Sequence, residues 1–243
     1  MASIQAKSIS TRTFKLGEDL ASFIAEHLPQ GILRGRQILC VTSKIVSLSE
    51  KAIVERKDVA SKMELVKAGS DHVLAGSSYG TALTIKHNIL IPAAGIDESN
   101  AAGDYYILLP KDPYASAQAL YQKLKDHYGL TEFGLVFTDS HTHPLRKGVT
   151  GIGLAHAGFR ASKSMIGQKD LYGRPLAMTQ INVLDSVSVA AVYVMGEASE
   201  SCPLSLVDAD GVEFCEKSDA SEIRVPVQDD LYLPLLKHGL NQK

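Results

Sequence analysis

Polar and ionisable side chains follow an apolar run in the middle of this chain. Residues 135–137 (Leu-Val-Phe) have the composition of a buried strand. The next residues offer a carboxylate, hydroxyls, imidazoles and a cation: Asp139, Ser140, His141, Thr142, His143 and Arg146. We expect a loop there, and such side chains on a loop after a strand could bind a charged ligand. The alternative is a polar strand exit in which Asp139 acts only as a cap.

A second segment has the same design, because the mostly apolar residues 89–96 lead to Asp97, Glu98, Ser99 and Asn100. If the two strand ends lie side by side, Asp97 and Asp139 could share a divalent cation such as Mg²⁺, which prefers oxygen ligands. Without a cation the two carboxylates would repel each other, and one would take up a proton. An Asx turn or a helix cap is the simpler explanation of Asp97 alone.

A third polar segment follows a predicted strand at 37–41. Thr42 or Ser43 could cap a helix that opens with Lys44, and the free amides of such a helix start attract phosphate. The glycines of a Walker loop are missing here. The glycines between residues 148 and 158 do not fit a dinucleotide fingerprint either, and small residues in a tightly packed strand explain them better.

Hydrophobic periodicity predicts the elements that position these segments. Helices are predicted at 17–28, 113–128 and 183–195, the second with Asp112 as its cap and Pro113 at its first position. Strands are predicted at 8–14, 37–41, 105–109 and 135–137, and hairpins at 82–92 and 204–214. The irregular alternation favours a mixed α+β fold over a doubly wound parallel sheet. We expect one domain over residues 1–243 with two closely joined lobes, whose boundary the sequence does not mark.

Composition restricts the classes of function. The formal charge of −2 and the pI near 6.4 give no basic excess for binding nucleic acid or an anionic membrane. Cys40, Cys202 and Cys215 form no Cys-x-x-Cys pair, which argues against a disulfide framework or a zinc site and favours a reducing compartment. Cys40 is predicted to be a small buried hydrophobe. The apolar stretch 187–195 is too short to cross a bilayer. We therefore expect a cytoplasmic protein without nucleic-acid or membrane partners.

Six short motifs occur in a characteristic order: TSKIVS at 42–47, IDESN at 96–100, LLPKDP at 108–113, TDSHTHPLR at 138–146, DLYGR at 170–174 and VMGEA at 194–198. Together they resemble the γ-glutamyl ligase family that adds glutamate to the deazaflavin coenzyme F(420). Relatives of that family are thought to glutamylate folate-type pterins instead. The resemblance extends from about residue 17 to residue 214.

The resemblance implies a β-rich, two-lobed α+β subunit in an intertwined homodimer. It implies L-glutamate and a deazaflavin or folate/pterin-type acceptor as substrates, GTP or ATP as co-substrate, and Mg²⁺ or Mn²⁺ at two sites. Asp97 and Asp139 would bind one cation and Ser140 the second. The implied nucleotide-binding residues are Thr11, Arg12, Ser43, Lys44, Asn100, Gly196, Glu197, Ala198 and Ser199.

The chain departs from the family pattern in three places. Residues 11–12 (Thr-Arg) replace Leu-Pro, Leu48 replaces a lysine, and residues 140–145 (SHTHPL) replace Thr-Phe-Gly-Arg-Pro-Trp. The missing lysine removes charge from a phosphate pocket, which Arg12, Lys51 or Arg146 could restore. The changed loop lies beside the implied acceptor, so the identity of the acceptor stays open.

The implied reaction is amide formation through an acyl phosphate. Lys44 and Arg146 would hold developing negative charge, and His141 or His143 could accept the proton of the amine. Both histidines could instead face solvent and serve only the loop. A metallohydrolase is a different hypothesis, because Asp139, His141 and His143 alternate along one face of an extended segment. A non-catalytic dimer that binds a nucleotide or a pterin is the third.

Overall fold

The computed structural model describes residues 2–76 and 80–240. The strands in these ranges are β1 (Ile4–Ile9), β2 (Ile38–Thr42), β3 (Ile53–Glu55), β4 (His72–Gly76), β5 (Ala82–Lys86), β6 (Ile89–Pro92), β7 (Tyr105–Ile107), β8 (Gly134–Thr142), β9 (Val149–Ala157), β10 (Ser162–Ser164), β11 (Gln180–Asn182) and β12 (Leu204–Ala209). The helices are α1 (Leu20–His27), α2 (Ser43–Ser49), α3 (Lys62–Gly69), α4 (Pro113–Tyr128), α5 (Val183–Met195) and α6 (Leu233–Leu240). No helix in these ranges is long and apolar enough to cross a membrane.

Five strands form the main sheet in the order β1-β12-β2-β8-β9. Neighbouring strands are antiparallel except for β2 and β8, which run parallel. The two central strands are buried along residues 38–41 and 134–138, as expected when both faces of a strand are covered. Side chains of α1, α2 and α4 pack on one face of the sheet, and those of α5 pack on the other. The mixed α+β class is therefore confirmed.

The side chains of β8 alternate between the two layers. Leu135 and Phe137 belong to the cluster that includes α1, α2 and α4, whereas Val136 belongs to the cluster of α5. Because successive residues of a strand point to opposite faces, the side chain of Asp139 is expected on the same face as those of Leu135 and Phe137. Its carboxyl group therefore extends a face that is otherwise apolar.

Smaller sheets complete the fold: β4-β5-β6, β3-β7 and β10-β11. The first packs with α3 in a separate apolar cluster that includes Val66 and Ile96. β7 connects this cluster to the main one, because Tyr106 packs in the small cluster and Ile107 in the main one. Asp97 exchanges two backbone hydrogen bonds with Ile107, so its position is tied to this connection.

Most of the predicted helices are confirmed, together with their caps. Asp112 accepts a hydrogen bond from the backbone N–H of Ala115 at 3.0 Å, Pro113 opens α4, and Gly129 ends it in a left-handed conformation. The helices at 20–27 and 183–195 and the β5–β6 hairpin also form as predicted. Asn88 lies in the turn of that hairpin with a positive φ of 66°, and Cys40 is fully buried.

Two predicted strands and one predicted hairpin differ from the structure. The first strand is Ile4–Ile9 rather than 8–14, and it is an edge strand with few buried side chains, so its hydrophobic pattern is weak. β8 continues through Asp139 to Thr142, where a loop was expected. The hairpin at 204–214 is wrong, because β12 pairs with β1 and β2, and only Phe214 of residues 212–214 makes an isolated bridge.

The glycines of β9 allow α5 to lie directly on the sheet. A Cβ atom on Gly151 would lie 2.1 Å from the backbone oxygen of Ser188, and one on Gly153 would lie 2.4 Å from Cγ of Leu184. Any side chain at these positions would push the helix away. This close approach confirms the prediction that the glycines belong to a tightly packed strand.

A left-handed turn precedes Asp97. Ala93 and Ala94 have φ values of 55° and 53°, a region that non-glycine residues rarely adopt. Ala93 is only partly buried.

We predict that Ala93→Gly will raise the free energy of unfolding by about 0.5–1 kcal/mol, because glycine adopts this conformation without the steric cost. Ala119→Gly, at an exposed position of α4, serves as the control and should lower it by about 1 kcal/mol. Urea denaturation measures both changes. Equal losses of stability in the two variants would contradict the prediction.

Candidate active site

The main sheet has an open position beyond the carboxyl end of β2. This strand ends at Thr42, opposite Thr138 of β8, whereas β8 continues to Thr142 paired with β9 alone. The register of β8 and β9 shifts between Phe137 and Thr138, at the same level. Bulges of this kind often lie next to active sites, where they redirect side chains. From Asp139 onward, β8 therefore has no strand neighbour on the side of β2.

Asp139 lies at this opening and is held by main-chain and side-chain donors. The backbone N–H of Ser140 donates to its Oδ1 at 2.9 Å. Burial raises the pKa of Asp139 to about 7, and the nearby Asp97 carboxylate also raises it, while the Ser140 amide, the Ser43 hydroxyl and the Lys44 ammonium act in the opposite direction. Without a cation, Asp139 therefore holds its proton more tightly than a solvent-exposed aspartate does.

Asp97 approaches the same point from the other side and forms an Asx turn. Its Oδ1 accepts hydrogen bonds from the backbone N–H groups of Glu98 and Ser99 at 2.6 and 2.8 Å. Its Oδ2 lies 2.7 Å from Nζ of Lys44, which also donates to the backbone oxygen of Ser99 at 3.0 Å. Burial alone would raise the pKa of Asp97, but Lys44 and Ser99 lower it below its usual value. Asp97 is therefore both a local turn former and a charged neighbour of Asp139.

A cavity of about 500 Å³ contains both carboxylates, and we call it the carboxylate cavity. Its lining comes from the segments 11–14, 42–48, 97–102, 138–140 and 192–203. Phe14, Ile45, Leu48 and Met195 contribute apolar surface, and Lys44 contributes an ammonium group. The cavity thus combines oxygen ligands, a cation and an apolar area in one place.

The segment after α5 forms one wall of the carboxylate cavity and is held by polar contacts. Ser140 donates its hydroxyl hydrogen to Glu197 at 2.7 Å, and Asn100 donates its amide N–H to the backbone oxygen of Ala198 at 3.0 Å. Glu200 accepts from the backbone N–H of Ala198 at 2.8 Å. The backbone N–H of Thr11 donates to the backbone oxygen of Ser201 at 2.9 Å.

Most site residues predicted from the sequence meet in this cavity. Its lining includes Thr11, Arg12, Lys44, Asp97, Asn100, Asp139, Ser140, Gly196, Glu197, Ala198 and Ser199. Ser43 is buried behind the lining, and its hydroxyl lies close enough to Asp139 to lower the pKa of that carboxyl group. Arg12 lines the cavity, but its guanidinium group is paired with Glu18 and Glu26. Its charge is therefore already compensated within the protein.

Two predicted catalytic residues lie outside the carboxylate cavity. Arg146 is exposed on the connection between β8 and β9. His141 lines a second cavity, also of about 500 Å³, together with His143. Burial lowers the pKa of His141 and the neighbouring His143 lowers it further, so its imidazole is neutral at pH 7. The structure thus separates His141 and Arg146 from the residues around Asp139.

The arrangement suits a hard cation and does not favour a transition-metal centre. Over residues 2–76 and 80–240, no three His, Cys, Asp or Glu side chains are grouped closely enough to hold a metal. His143 bonds instead to Thr150 at 2.8 Å, and Asp139 lines the other cavity. Two carboxylates and a serine hydroxyl are oxygen donors of the kind that Mg²⁺ and Mn²⁺ accept, with water in the remaining positions. The donor set around Asp97 and Asp139 therefore fits such an ion.

Sequence reasoning missed the apolar part of the cavity and the role of Ser99. Phe14, Ile45 and Leu48 have the spacing and composition of ordinary core residues, and no local pattern distinguishes them. Ser99 was part of the predicted polar segment, but its contacts with Lys44 and Asp97 depend on a fold that brings two distant segments together.

Comparison with known proteins adds independent information. The family model described as F420-0:Gamma-glutamyl ligase matches residues 8–208. A protein of Archaeoglobus fulgidus named coenzyme F420:L-glutamate ligase is 30% identical over 93% of this chain and 94% of its own length. Proteins with the same name from Methanothermobacter thermautotrophicus and Methanocaldococcus jannaschii are 30% and 28% identical, over 79% and 90% of this chain and 82% and 92% of their own lengths.

The family match covers most of the chain, including each segment that lines the carboxylate cavity. The resemblance inferred from six short motifs is thus confirmed at the level of the family. The chain belongs to the F420-0:gamma-glutamyl ligase family, whose members are ligases that form amide bonds.

Proposed function

We propose that this protein uses a nucleoside triphosphate, GTP in preference to ATP, to join the amino group of L-glutamate to a carboxylate of a deazaflavin-type acceptor. The observation that carries the proposal is the approach of Asp97 and Asp139 in one cavity that also contains Lys44. The name of the relatives, coenzyme F420:L-glutamate ligase, supports glutamate and a deazaflavin as substrates. A folate-type compound is the alternative acceptor, and the assay compares the two.

The electrostatics of the two carboxylates support Mg²⁺ or Mn²⁺ as the cofactor. Burial raises the pKa of Asp139 to about 7, the Asp97 carboxylate adds to this rise, and a divalent cation would offset the repulsion between the two carboxylates. Asp97 and Asp139 would hold one ion, and Ser140 would contribute its hydroxyl to a second. The ions would supply positive charge for the terminal phosphate oxygens.

The carboxylate cavity has surfaces for the parts of a nucleotide. Phe14, Ile45 and Leu48 offer apolar area for a base, and Asn100 offers an amide at the wall formed by residues 196–201. Lys44 forms an ion pair with Asp97. Once a cation neutralises that carboxylate, the ammonium group of Lys44 can donate to a phosphate oxygen instead. Arg146 lies outside the cavity, so we assign the charge-stabilising role to Lys44 alone.

The proposed chemistry has two steps. The acceptor carboxylate attacks the terminal phosphorus, which gives an acyl phosphate and a nucleoside diphosphate. The nitrogen of glutamate then attacks the acyl carbon, the C–N bond forms, and phosphate leaves. The amine loses a proton in the second step. His141 lines the neighbouring cavity, so it can accept this proton only if the amine lies at the boundary between the two cavities.

A homodimer is part of the proposal. The segment 162–182 contains the small β10–β11 sheet and several exposed apolar side chains. Ile166, Leu171, Tyr172, Met178 and Ile181 are exposed by between 44% and 99%. Apolar side chains concentrated on one segment are typical of a protein interface. A second copy of the chain is the partner that we assign to this surface.

The assay for the activity combines purified protein, Mg²⁺, labelled L-glutamate, one of four nucleoside triphosphates, and either the deazaflavin acceptor or tetrahydrofolate. We expect the acceptor mass to rise by one glutamyl unit with the deazaflavin, with GTP as the best nucleotide, and with one phosphate released per bond. Lys44→Met should reduce the rate by about 100-fold or more. Phosphate release without glutamate transfer to either acceptor would contradict the proposal.

Asp139→Asn tests the cation site by activity and by stability. It should abolish turnover. In the presence of a chelator, the wild-type protein should lose up to about 4 kcal/mol of stability as the pH rises from about 4 to 7, because Asp139 binds its proton more tightly in the folded state than in the unfolded chain. The variant lacks this penalty, so its melting temperature at pH 8 should exceed that of the wild type.

The exposed Asp58 offers a matched control, since Asp58→Asn should change neither activity nor the pH dependence. Adding Mg²⁺ should raise the melting temperature of the wild type and of Asp58→Asn, but not that of Asp139→Asn. An Asp139→Asn protein that stays active and loses stability would assign this residue to structure.

The dimer is tested by the paired substitution Leu171→Glu and Met178→Glu, which adds charge to the apolar segment. Light scattering should give twice 26.2 kDa for the wild type and 26.2 kDa for the variant. Tyr193→Glu, at an exposed position of α5, should leave the dimer intact. A wild-type mass of 26.2 kDa at micromolar concentration would exclude the proposed dimer.

A further inference from the structure

The second cavity, which contains His141, lies at the free edge of β9, and we call it the edge cavity. β9 is the last strand of the main sheet. The turn of the β5–β6 hairpin, the first turns of α4 and α5, and the segment 223–232 enclose the cavity. Asn88 donates its amide N–H to the backbone oxygen of Val225 at 3.0 Å, so the hairpin turn and the later segment are connected.

The carboxylates of the edge cavity already have partners within the protein. Asp185 accepts from the backbone N–H of Gly153 at 3.0 Å and from the side chain of Asn182 at 2.5 Å. Asp230 accepts from the backbone N–H of Tyr232 at 2.7 Å. Both carboxylates therefore accept hydrogen bonds within the protein, although the neutral donors leave their negative charge in place.

The cationic and imidazole groups of the edge cavity are less satisfied. Arg224 has no carboxylate within ion-pair distance among the described side chains, and its guanidinium carbon lies 5.2 Å from the ring centre of Tyr114. Nδ1 of His141 is buried and has no hydrogen-bond partner in the same set of residues. His87 and His143 bond to Pro110 and Thr150. Arg224 is exposed and has no ion pair among the described side chains, so its guanidinium group is available to donate to an anionic group of a ligand.

The edge cavity also has an aromatic surface and the volume of a small-molecule site. Tyr232 lines it and is 64% exposed, and Tyr114 lines it next to Arg224. Aromatic rings and guanidinium groups stack on flat heteroaromatic rings. A volume of about 500 Å³ is typical of pockets for ligands much larger than a single amino acid.

The two cavities are adjacent along two elements. On β8, Ser140 lines the carboxylate cavity and the next residue, His141, lines the edge cavity. On α5, Val192 and Val189 lie one turn apart and line the first and the second cavity respectively. The two cavities are therefore lined by neighbouring residues of both β8 and α5.

We propose that the edge cavity binds the acceptor as a flat heteroaromatic ring with an acidic arm, with the ring against Tyr232 and an anionic group facing Arg224. The reacting carboxylate of the arm passes His141 to reach the carboxylate cavity. This inference rests on the proposed ligase function. Arg224 and Tyr232 lie beyond residue 208, where the family match ends, so the residues that select the ring belong to a part of the chain outside that match.

The test measures binding and turnover separately. Calorimetry with the deazaflavin acceptor and with tetrahydrofolate gives the acceptor Kd, and a fluorescent GTP analogue gives the nucleotide Kd. Tyr232→Ala and Arg224→Gln should each raise the acceptor Kd and KM by about tenfold or more and leave the nucleotide Kd within about twofold. If the Kd of only one acceptor rises in the variants, that acceptor carries the ring that the edge cavity binds, either a deazaflavin or a pterin.

Matched controls remove the same side chains elsewhere on the surface. Tyr193→Ala and Arg34→Gln lie outside both cavities and should leave every constant within about twofold of the wild-type value. An unchanged nucleotide Kd also shows that the cavity variants are folded.

The outcomes separate this inference from the proposed function. An acceptor Kd that stays within twofold in both cavity variants, or a wild-type protein that binds neither acceptor, would overturn the assignment of the edge cavity. Acceptor binding that depends on Tyr232 and Arg224, without a glutamylated product with any nucleotide, would support the assignment and refute the ligase proposal. A glutamylated product with an unchanged acceptor KM in both variants would support the ligase proposal and overturn the assignment of the edge cavity.

Discussion

The meeting of two carboxylates at an opening in the main sheet is the interaction on which the site depends. Asp97 and Asp139 are 42 positions apart in the sequence, yet the Asp97 carboxylate contributes to the raised pKa of Asp139. A protein gains nothing in stability from such a pair, because burial and repulsion both oppose ionisation. Lys44 compensates only one of them directly, through its contact with Asp97. Among the described side chains, Asp139 has no ion pair of its own.

The fold brings this pair together by a difference in strand length. β2 and β8 are parallel, and β2 ends four residues before β8 does, which leaves one side of Asp139 without a strand. On the other side of the opening, Asp97 is attached to β7 through its backbone hydrogen bonds with Ile107. Both acids are thus fixed by main-chain pairing, and the mobile part of each is limited to its carboxylate.

The sequence predicted the local features well and the non-local ones poorly. The caps of α4, the glycines of β9 and the polar residues after each apolar run are local signals, and the structure agrees with them. The end of β8 was misjudged because Asp139 and Ser140 are polar, although β9 provides hydrogen bonds for both. The hairpin at 204–214 failed because β12 finds its partners in β1 and β2, far away in the sequence.

The difference between local and non-local signals also explains which candidate site residues could be predicted. Asp97, Asp139 and Lys44 could be named from their types and neighbours, and they do lie together. The separation of His141 from Asp139 could not be foreseen, because both lie on one strand and only the surrounding helices and loops divide the space between two cavities. The residues 223–232 carry no recognisable motif, and their contribution to the edge cavity depends wholly on tertiary packing.

The contact of α5 with β9 has a consequence for how such an enzyme can change. Gly151 and Gly153 present bare backbone to α5, so the helix can lie this close to the sheet only while both positions stay glycine. Residues of α5 line both cavities, since Val192 lines the first and Val189 the second. A side chain added at either glycine would therefore displace a wall that the two cavities share and alter both at once.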